Sequence, residues 1–193
     1  MSDERGTIDR MQAFVISGPT AVGKGTVLKE LLARAPQLWY SISATTRPAR
    51  PGESDGVDYY FVSDEQFDEM VESGSMLEWA VVHRMHRYGT PRKPVEDALA
   101  AGKTVILELD LAGARQVRES MPEAIQIFLA PPSFEDLQYR LRARGTETQE
   151  DQQRRLETAK VELAAESEFD YIVVNDTVAQ ATDELLQILG VDE

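Results

Sequence analysis

Short, continuous apolar runs alternate with amphipathic segments along most of the chain. The runs lie at 13–17, 105–109, 124–129 and 171–174. They are too short for buried helices and too continuous for strands with one face in water, so we predict buried parallel strands. Segments with apolar residues at helical spacing follow these runs, at 24–34, 111–120, 133–143 and 178–189. The alternation predicts an α/β fold in which right-handed crossovers join the strands of a parallel sheet.

The stretch 39–83 breaks this alternation. Strand-like segments occur at 40–45, 58–62 and 76–82, with a helix-like segment at 63–73. Ser63 and Gln66 have the spacing of a capping box at the start of that helix, and Gly74 marks its end. We therefore predict a single domain over 1–193, in which a subdomain at about 38–90 is inserted into a core of 13–37 and 91–193. The long, charged segment 149–166 lacks glycine and proline, which suits a mobile helical flap.

The composition narrows the class of protein. With 193 residues, 42% of them apolar, the chain fits one domain, and it has no apolar run of about 18 residues, so we expect a soluble protein without a membrane partner. The polar run 1–12 does not resemble an export signal, and the absence of cysteine excludes disulfides, both of which favour the cytoplasm. A net charge of −14 argues against a nucleic-acid partner, because binding to phosphate backbones relies on Lys and Arg.

A glycine-rich segment separates the first predicted strand from the first predicted helix. Its residues are Gly18, Pro19, Thr20, Ala21, Val22, Gly23, Lys24, Gly25 and Thr26. This spacing is typical of a P-loop, in which glycines let backbone N–H groups surround phosphate oxygens at a helix N-terminus, and the lysine reaches the β and γ phosphates. The strict pattern has Ser or Thr directly after the lysine, where this chain has Gly25, so the usual hydroxyl ligand of Mg²⁺ is missing there.

Further motifs follow in a fixed order. They are SATTRPARPGE at 43–53, GVDYYF at 56–61, LEWA at 77–80, YGT at 88–90, ELDLAG at 108–113, RLRARGTET at 140–148, RRL at 154–156 and VVND at 173–176. With the P-loop, they resemble the guanylate kinase family of P-loop nucleoside monophosphate kinases from Ala13 to about Leu189. The resemblance implies a P-loop kinase fold with a parallel sheet flanked by helices, an inserted mixed-sheet GMP-binding subdomain and a helical lid at about 140–157. It also implies transfer of the γ-phosphoryl group of ATP to GMP and dGMP in purine metabolism.

The resemblance also assigns the acceptor site. The residues implied for GMP are Ser43, Arg47, Arg50, Tyr59, Glu78, Tyr88, Thr90 and Asp110. Arg47, Arg50 and the two tyrosines would hold the phosphate, which suits guanidinium forks and rigid hydroxyl donors. The other four would surround guanine, whose N1–H and 2-amino groups are donors that a carboxylate can accept.

On the donor side, the resemblance implies that residues 18–26 and Asn175 bind ATP. The implied catalytic residues are Lys24, Arg47, Arg140, Arg144 and Arg155, which would place positive charge around the transferring group. Mg²⁺ would accompany ATP near Thr26 and Glu108, the latter at the end of a predicted strand, where α/β sheets bind ligands. We expect a monomer or a small homo-oligomer.

Two other functions fit the same motifs less well. A guanylate-kinase-like interaction module would bind proteins without turnover, but such modules typically lack the P-loop lysine or the lid arginines. A P-loop kinase for another small phosphorylated acceptor is the second alternative, against which the tyrosines and the Glu78 and Asp110 pair favour GMP. His83 and His86, three residues apart, would suit either a metal site or packing near the phosphate site.

Overall fold

The computed structural model describes residues 12–82, 85–143 and 149–191. Its strands are β1 (Ala13–Ser17), β2 (Trp39–Tyr40), β3 (Ala44–Thr45), β4 (Tyr60–Phe61), β5 (Met76–Val82), β6 (His86–Pro91), β7 (Val105–Glu108), β8 (Ile125–Ala130) and β9 (Tyr171–Val174). Its helices are α1 (Lys24–Arg34), α2 (Asp64–Glu72), α3 (Arg92–Ala100), α4 (Leu111–Ser120), α5 (Phe134–Ala143), α6 (Gln149–Ala164) and α7 (Val178–Leu189), with a 3-10 turn at Glu166–Glu168.

Five parallel strands in the order β2-β7-β1-β8-β9 form the central sheet. The apolar runs predict four of them, and β2 is an addition at one edge. Alternate side chains of the central strand β1 enter different cores. Phe14 and Ile16 pack with α1 and α7 on one face, whereas Ala13 and Val15 pack with α3 and α4 on the other. Because both faces are covered by helices, β1 is apolar at nearly every position.

The edge strand β9 is more exposed than the central strands β7, β1 and β8. Only Val173 is fully buried, whereas Tyr171, Ile172 and Val174 are 41%, 42% and 46% exposed. The prediction of a wholly buried strand at 171–174 is therefore wrong for these three side chains. An edge strand has a neighbour on one side only, so its apolar residues keep more contact with solvent.

A second, four-stranded sheet has the mixed order β4-β3-β6-β5. The single strand predicted at 40–45 is two strands in different sheets: β2 pairs with β7 of the parallel sheet, and β3 pairs with β4 and β6 of the second sheet. The second sheet has a small core of Ala44, Phe67 and Met76. This mixed sheet confirms the predicted change of architecture in the middle of the chain.

The helix ends follow the polar residues that the sequence offers as caps. The Ser63 side chain accepts from Gln66 N, and the Gln66 side chain accepts from Ser63 N, so the predicted capping box is present at α2. Ser133 Oγ accepts from Asp136 N at 3.0 Å at the start of α5.

The polar helix α6 is anchored from its middle onwards, where Leu156 and Ala159 are buried and Leu163 contacts both cores. In the part of the chain that the structure describes, no helix combines the length and the apolar character needed to cross a bilayer.

Candidate active site

The glycine-rich loop joins the end of β1 to the start of α1 and passes close to neighbouring backbone. A Cβ atom on Gly18 would lie 2.3 Å from the carbonyl oxygen of Leu129. Gly23 has φ +101°, and a Cβ there would lie 2.8 Å from Asn175 Nδ2. Neither position accepts a side chain without a shift of its surroundings. Ala21 adopts φ 65°, a conformation that L-residues rarely take, so the loop is held in a strained shape.

Lys24, the first residue of α1, closes the loop on itself. Its Nζ donates to the carbonyl oxygen of Gly18 at 2.6 Å. Burial lowers the pKa of this ammonium, and the carboxylates of Glu108, Glu162 and Asp110 act in the opposite direction. The lysine is thus held by backbone and by surrounding negative charge at the mouth of the loop.

Two cavities meet at this lysine. One, of about 330 Å³, is lined by Glu108 and by the P-loop residues 19–21 and 23–26. The other, of about 420 Å³, lies towards the second sheet and is lined by Ser43, Asp58, Tyr59 and Asp110 among others. Lys24 and Glu108 line both cavities. Two ligands bound in these cavities would therefore adjoin beside one ammonium group.

Arg47 lies at the centre of the residues of the second sheet that are predicted to bind the GMP phosphate. It is 9% exposed, and its two terminal nitrogens each bind Glu53 at 2.9 Å. Its Nε donates to the Tyr88 hydroxyl at 3.2 Å, and its guanidinium lies 5.3 Å from the centre of the Tyr59 ring. The structure thus brings Arg47, Tyr59 and Tyr88 together. Arg50 is exposed on the same loop, where its backbone N donates to Glu53 at 2.7 Å.

Glu78 is the buried carboxylate of the predicted base site. It is 8% exposed on β5, and its Oε1 accepts from the Thr90 hydroxyl at 2.7 Å. Burial raises the pKa of this carboxyl, against the effect of the Thr90 hydrogen bond. Asp110 caps α4 by accepting from Gly113 N at 2.8 Å and lines the larger cavity together with Ser43. Capping and cavity lining therefore coexist at Asp110.

Two of the remaining residues predicted for the ATP side, Asn175 and Arg140, bind the backbone of the loop. Asn175 is 4% exposed, and its Nδ2 donates to the carbonyl oxygen of Val22 at 2.8 Å. Arg140 on α5 donates to the carbonyl oxygens of Val22 at 3.1 Å and Asn175 at 2.9 Å. Arg155 lies on α6 and is half-buried. Arg144, also predicted as catalytic, lies outside the described residues.

The predicted metal ligands face the smaller cavity. Thr26 and Glu108 both line it, and both offer the oxygen donors that Mg²⁺ prefers. One oxygen of Glu108 accepts from the Tyr40 hydroxyl at 2.8 Å. The residues present therefore fit an ion that takes most of its ligands from phosphates and water.

Sequence reasoning missed three residues of this region. Tyr40 binds Glu108, and Asp58 lines the larger cavity. Glu162 on α6 accepts from the backbone N of Thr20 in the P-loop at 3.2 Å, although the two are 142 residues apart. Tyr40 could have been found, because it ends a strand beside the strand of Glu108, and carboxyl ends of parallel strands meet at one edge. Nothing in the polar pattern of α6 distinguishes Glu162.

The strand, glycine loop, lysine and helix define a P-loop nucleotide-binding protein. Comparison with known proteins is more specific. The family model described as guanylate kinase matches residues 10–191. The chain is 61% identical over 91% of its length to a guanylate kinase of Cutibacterium acnes, covering 88% of that protein. It is 59% identical to that of Thermobifida fusca, over 91% of this chain and 89% of that one.

A solved structure agrees with the sequence relatives. The crystal structure of guanylate kinase from Anaplasma phagocytophilum is similar with a TM-score of 0.70 at 32% identity, covering 93% of this chain and 85% of that chain. The chain therefore belongs to the guanylate kinase family of enzymes.

Proposed function

We propose that this enzyme transfers the γ-phosphoryl group of ATP to GMP or dGMP, giving ADP and GDP or dGDP, as a step of purine nucleotide metabolism. The observation that carries the proposal is the meeting of two cavities at Lys24 and Glu108. An oxygen of the acceptor phosphate attacks the γ phosphorus, and the bond from that phosphorus to the β–γ bridging oxygen breaks. The ammonium of Lys24 lies where negative charge develops during this step.

The acceptor is held by the second sheet. Arg47, Arg50, Tyr59 and Tyr88 bind its phosphate, and the aromatic and carboxylate contacts of Arg47 keep that guanidinium in place. Guanine is bound by Ser43, Glu78, Thr90 and Asp110. Because none of these groups is assigned to the ribose 2′-hydroxyl, dGMP is included as an acceptor.

The donor is held by the P-loop, where backbone N–H groups and the N-terminus of α1 bind its phosphates. Thr26 and Glu108 are the residues that would hold Mg²⁺ bound with ATP, and the ion would neutralise charge on the β and γ phosphates. Arg140 binds the carbonyl oxygens of both Val22 and Asn175 and so supports the shape of the loop. Arg155, and Arg144 outside the described residues, are assigned to the transferring group.

A comparison of acceptors tests the proposal. ADP formation from ATP is measured with GMP, dGMP, AMP, CMP and UMP at matched concentrations. We expect kcat/KM to be highest for GMP, with dGMP second and the other three lower by about 100-fold or more, because a site built to accept from the adjacent N1–H and 2-amino groups of guanine rejects bases that lack this pair of donors.

Two results would contradict the proposal in different ways. Equal or better turnover of AMP, CMP or UMP would indicate a kinase for another acceptor. Binding of GMP, measured by calorimetry, without any ADP formation would indicate an interaction module in place of an enzyme.

A further inference from the structure

One face of α4 packs against β5 beside the buried Glu78. This face, called here the α4 contact face, consists of Gly113, Gln116 and Ser120, whose spacing of three and four residues places them on one side of the helix. Each of the three touches a different part of the strand around Glu78. The contact joins the second sheet to a helix of the central core.

Gln116 binds the backbone of Trp79, the residue that follows Glu78. Its side-chain Oε1 accepts from Trp79 N at 3.0 Å, and its Nε2 donates to the carbonyl oxygen of Trp79 at 3.0 Å. β5 is an edge strand, so these two backbone groups face away from the sheet. The amide of Gln116 thus pairs with β5 as a neighbouring strand would.

Ser120 binds Leu77, the residue that precedes Glu78. Its Oγ donates to the carbonyl oxygen of Leu77 at 2.6 Å. The backbone on both sides of Glu78 is therefore fixed to α4, and the orientation of the Glu78 side chain follows from it.

Gly113 provides space for the carboxylate itself. A Cβ at this position would lie 3.2 Å from Glu78 Oε2, 3.3 Å from Leu109 Cβ and 3.4 Å from Asp110 Oδ1, so the space is tight. The Glu78 carboxylate lies over the first turn of α4, where the helix N-terminus favours negative charge. Asp110 is the N-cap of the same helix. α4 thus determines where both carboxylates lie relative to each other.

We propose that the α4 contact face determines acceptor-base selectivity by positioning Glu78 against Asp110. Gly113, Gln116 and Ser120 are positioning residues in this scheme and do not themselves touch the base. The inference rests on the proposed function, because it requires that Glu78 bind guanine. Its consequence is that selectivity changes when α4 is altered, although no group that contacts the nucleotide is changed.

The first test uses Gln116→Ala, with Gln187→Ala as the matched control, because Gln187 is exposed on the distant helix α7. GMP and IMP are compared as acceptors, since hypoxanthine keeps N1–H and lacks the 2-amino group. We expect the GMP:IMP ratio of kcat/KM to fall by about threefold to tenfold in Gln116→Ala. This is the effect of weakening the one hydrogen bond between Glu78 and the 2-amino group of guanine. KM for ATP should stay within about twofold, and Gln187→Ala should match the wild type.

A second variant separates positioning from loss of stability. Gly113→Ala keeps the Gln116 side chain, and its better helix propensity offsets part of the cost of the tight contacts that its Cβ makes, so the melting temperature should fall only slightly. Its Cβ displaces the Glu78 carboxylate, and the GMP:IMP ratio should again fall by about threefold or more. A purely structural role for α4 would alter the melting temperature and leave this ratio unchanged.

The outcomes distinguish the inference from the function on which it rests. If Glu78→Gln lowers the ratio while Gln116→Ala and Gly113→Ala leave it within about twofold of the wild type, the inference is overturned and the proposed function stands. If Glu78→Gln also leaves the ratio unchanged, Glu78 does not recognise the base, and both the inference and that part of the proposed function fail.

Discussion

The donor loop and the acceptor site are held in shape by different means. The P-loop lies between a five-residue buried strand and an eleven-residue helix, where Gly18 approaches the Leu129 backbone and Gly23 approaches the Asn175 side chain. Side chains from the central core also bind the backbone groups of the loop, as Asn175 does at Val22. The second sheet has two-residue strands at β3 and β4 and a core of three buried residues. Its shape depends on side-chain pairs, such as Arg47 with Glu53 and Arg87 with Asp64.

Because of this difference, substitutions in the two regions should affect different properties of the enzyme. A loop whose backbone is held at several points should keep most of its shape when one reactive side chain is removed, so that the chemical step suffers most. A site held by polar side chains should change its selectivity or affinity when any one of them changes, although the central core remains folded. The following expectations test this distinction from the largest effect to the smallest.

Lys24→Ala removes the ammonium and its hydrogen bond to Gly18, whereas the contacts of Val22 and Gly23 with Asn175 remain. We expect kcat to fall by roughly 100-fold or more, because the lysine stabilises charge on the transferring phosphoryl group, while the melting temperature stays close to that of the wild type. Lys29→Ala, on the exposed side of the same helix, is the matched control and should retain full activity. Near-normal turnover by a folded Lys24→Ala protein would remove the P-loop assignment.

Glu78→Gln tests base recognition on the acceptor side. The carboxylate accepts from guanine N1–H and the 2-amino group, whereas an amide places an NH₂ group against one of these donors and can instead donate to adenine N1. The GMP:AMP ratio of kcat/KM should fall by at least about tenfold, with loss for GMP and gain for AMP. Steady-state kinetics with both acceptors measure it, and an unchanged ratio would mean that Glu78 does not bind the base.

Glu53→Gln weakens the support of Arg47 without removing any group that we assign to GMP. The guanidinium loses a charged, two-point partner, so it is held less firmly against the acceptor phosphate. We expect KM for GMP to rise by about threefold to tenfold, with kcat and the KM for ATP changed by less than about twofold. Glu72→Gln, at an exposed position of α2, serves as the control. A lower KM for GMP would show that Glu53 competes with the phosphate for Arg47.

The same comparison explains what the sequence predicted. The strand at 13–17 and the helix at 24–34 have the bounds predicted for them, because their apolar periodicity and the glycines between them are local signals. The segment 40–45 was predicted as one strand, and it divides because Trp39–Tyr40 pairs with β7, more than sixty residues later in the chain. No local pattern specifies such a pairing.

The site shows the same limit. The side chains that the motifs carry were predicted, and the structure brings Arg47, Tyr59 and Tyr88 together. The supporting contacts were not predicted. The hydrogen bonds of Gln116 to Trp79 and of Glu162 to Thr20 join distant parts of the chain. In the sequence, Gln116 and Glu162 look like any other polar residue of a helix, and only the fold brings them to these partners.

Glu78 also has an expected effect on stability that depends on pH. Burial raises the pKa of this carboxyl above its ordinary value of 4.5, so the folded protein holds the proton more tightly than the unfolded chain. The stabilisation from this proton is complete below pH 4.5 and is lost as pH rises through the raised pKa. Glu78→Gln has no ionisable group at this position, so it does not lose stability in this way as the pH rises. Its melting temperature relative to the wild type should therefore increase from about pH 4.5 to pH 7, measured by calorimetry with Glu72→Gln as the control. A difference independent of pH would indicate that the Glu78 carboxyl is not desolvated.

Gly25→Ser should have the smallest effect, because it changes the donor loop at a position where the backbone contacts do not depend on glycine. Gly25 is exposed, no atom lies within 4 Å of a Cβ built there, and its φ is not positive. Serine also restores the hydroxyl that P-loops usually place beside the lysine, within reach of a phosphate-bound Mg²⁺. We expect the Mg²⁺ concentration for half-maximal activity to fall or stay the same, with kcat within about twofold and little change in melting temperature, since helix starts tolerate serine. Gly25→Ala is the control that adds a Cβ without the hydroxyl. A higher Mg²⁺ requirement in both variants would show that the loop needs glycine at this position for its backbone, and the donor site would then depend on its glycines beyond Gly18 and Gly23.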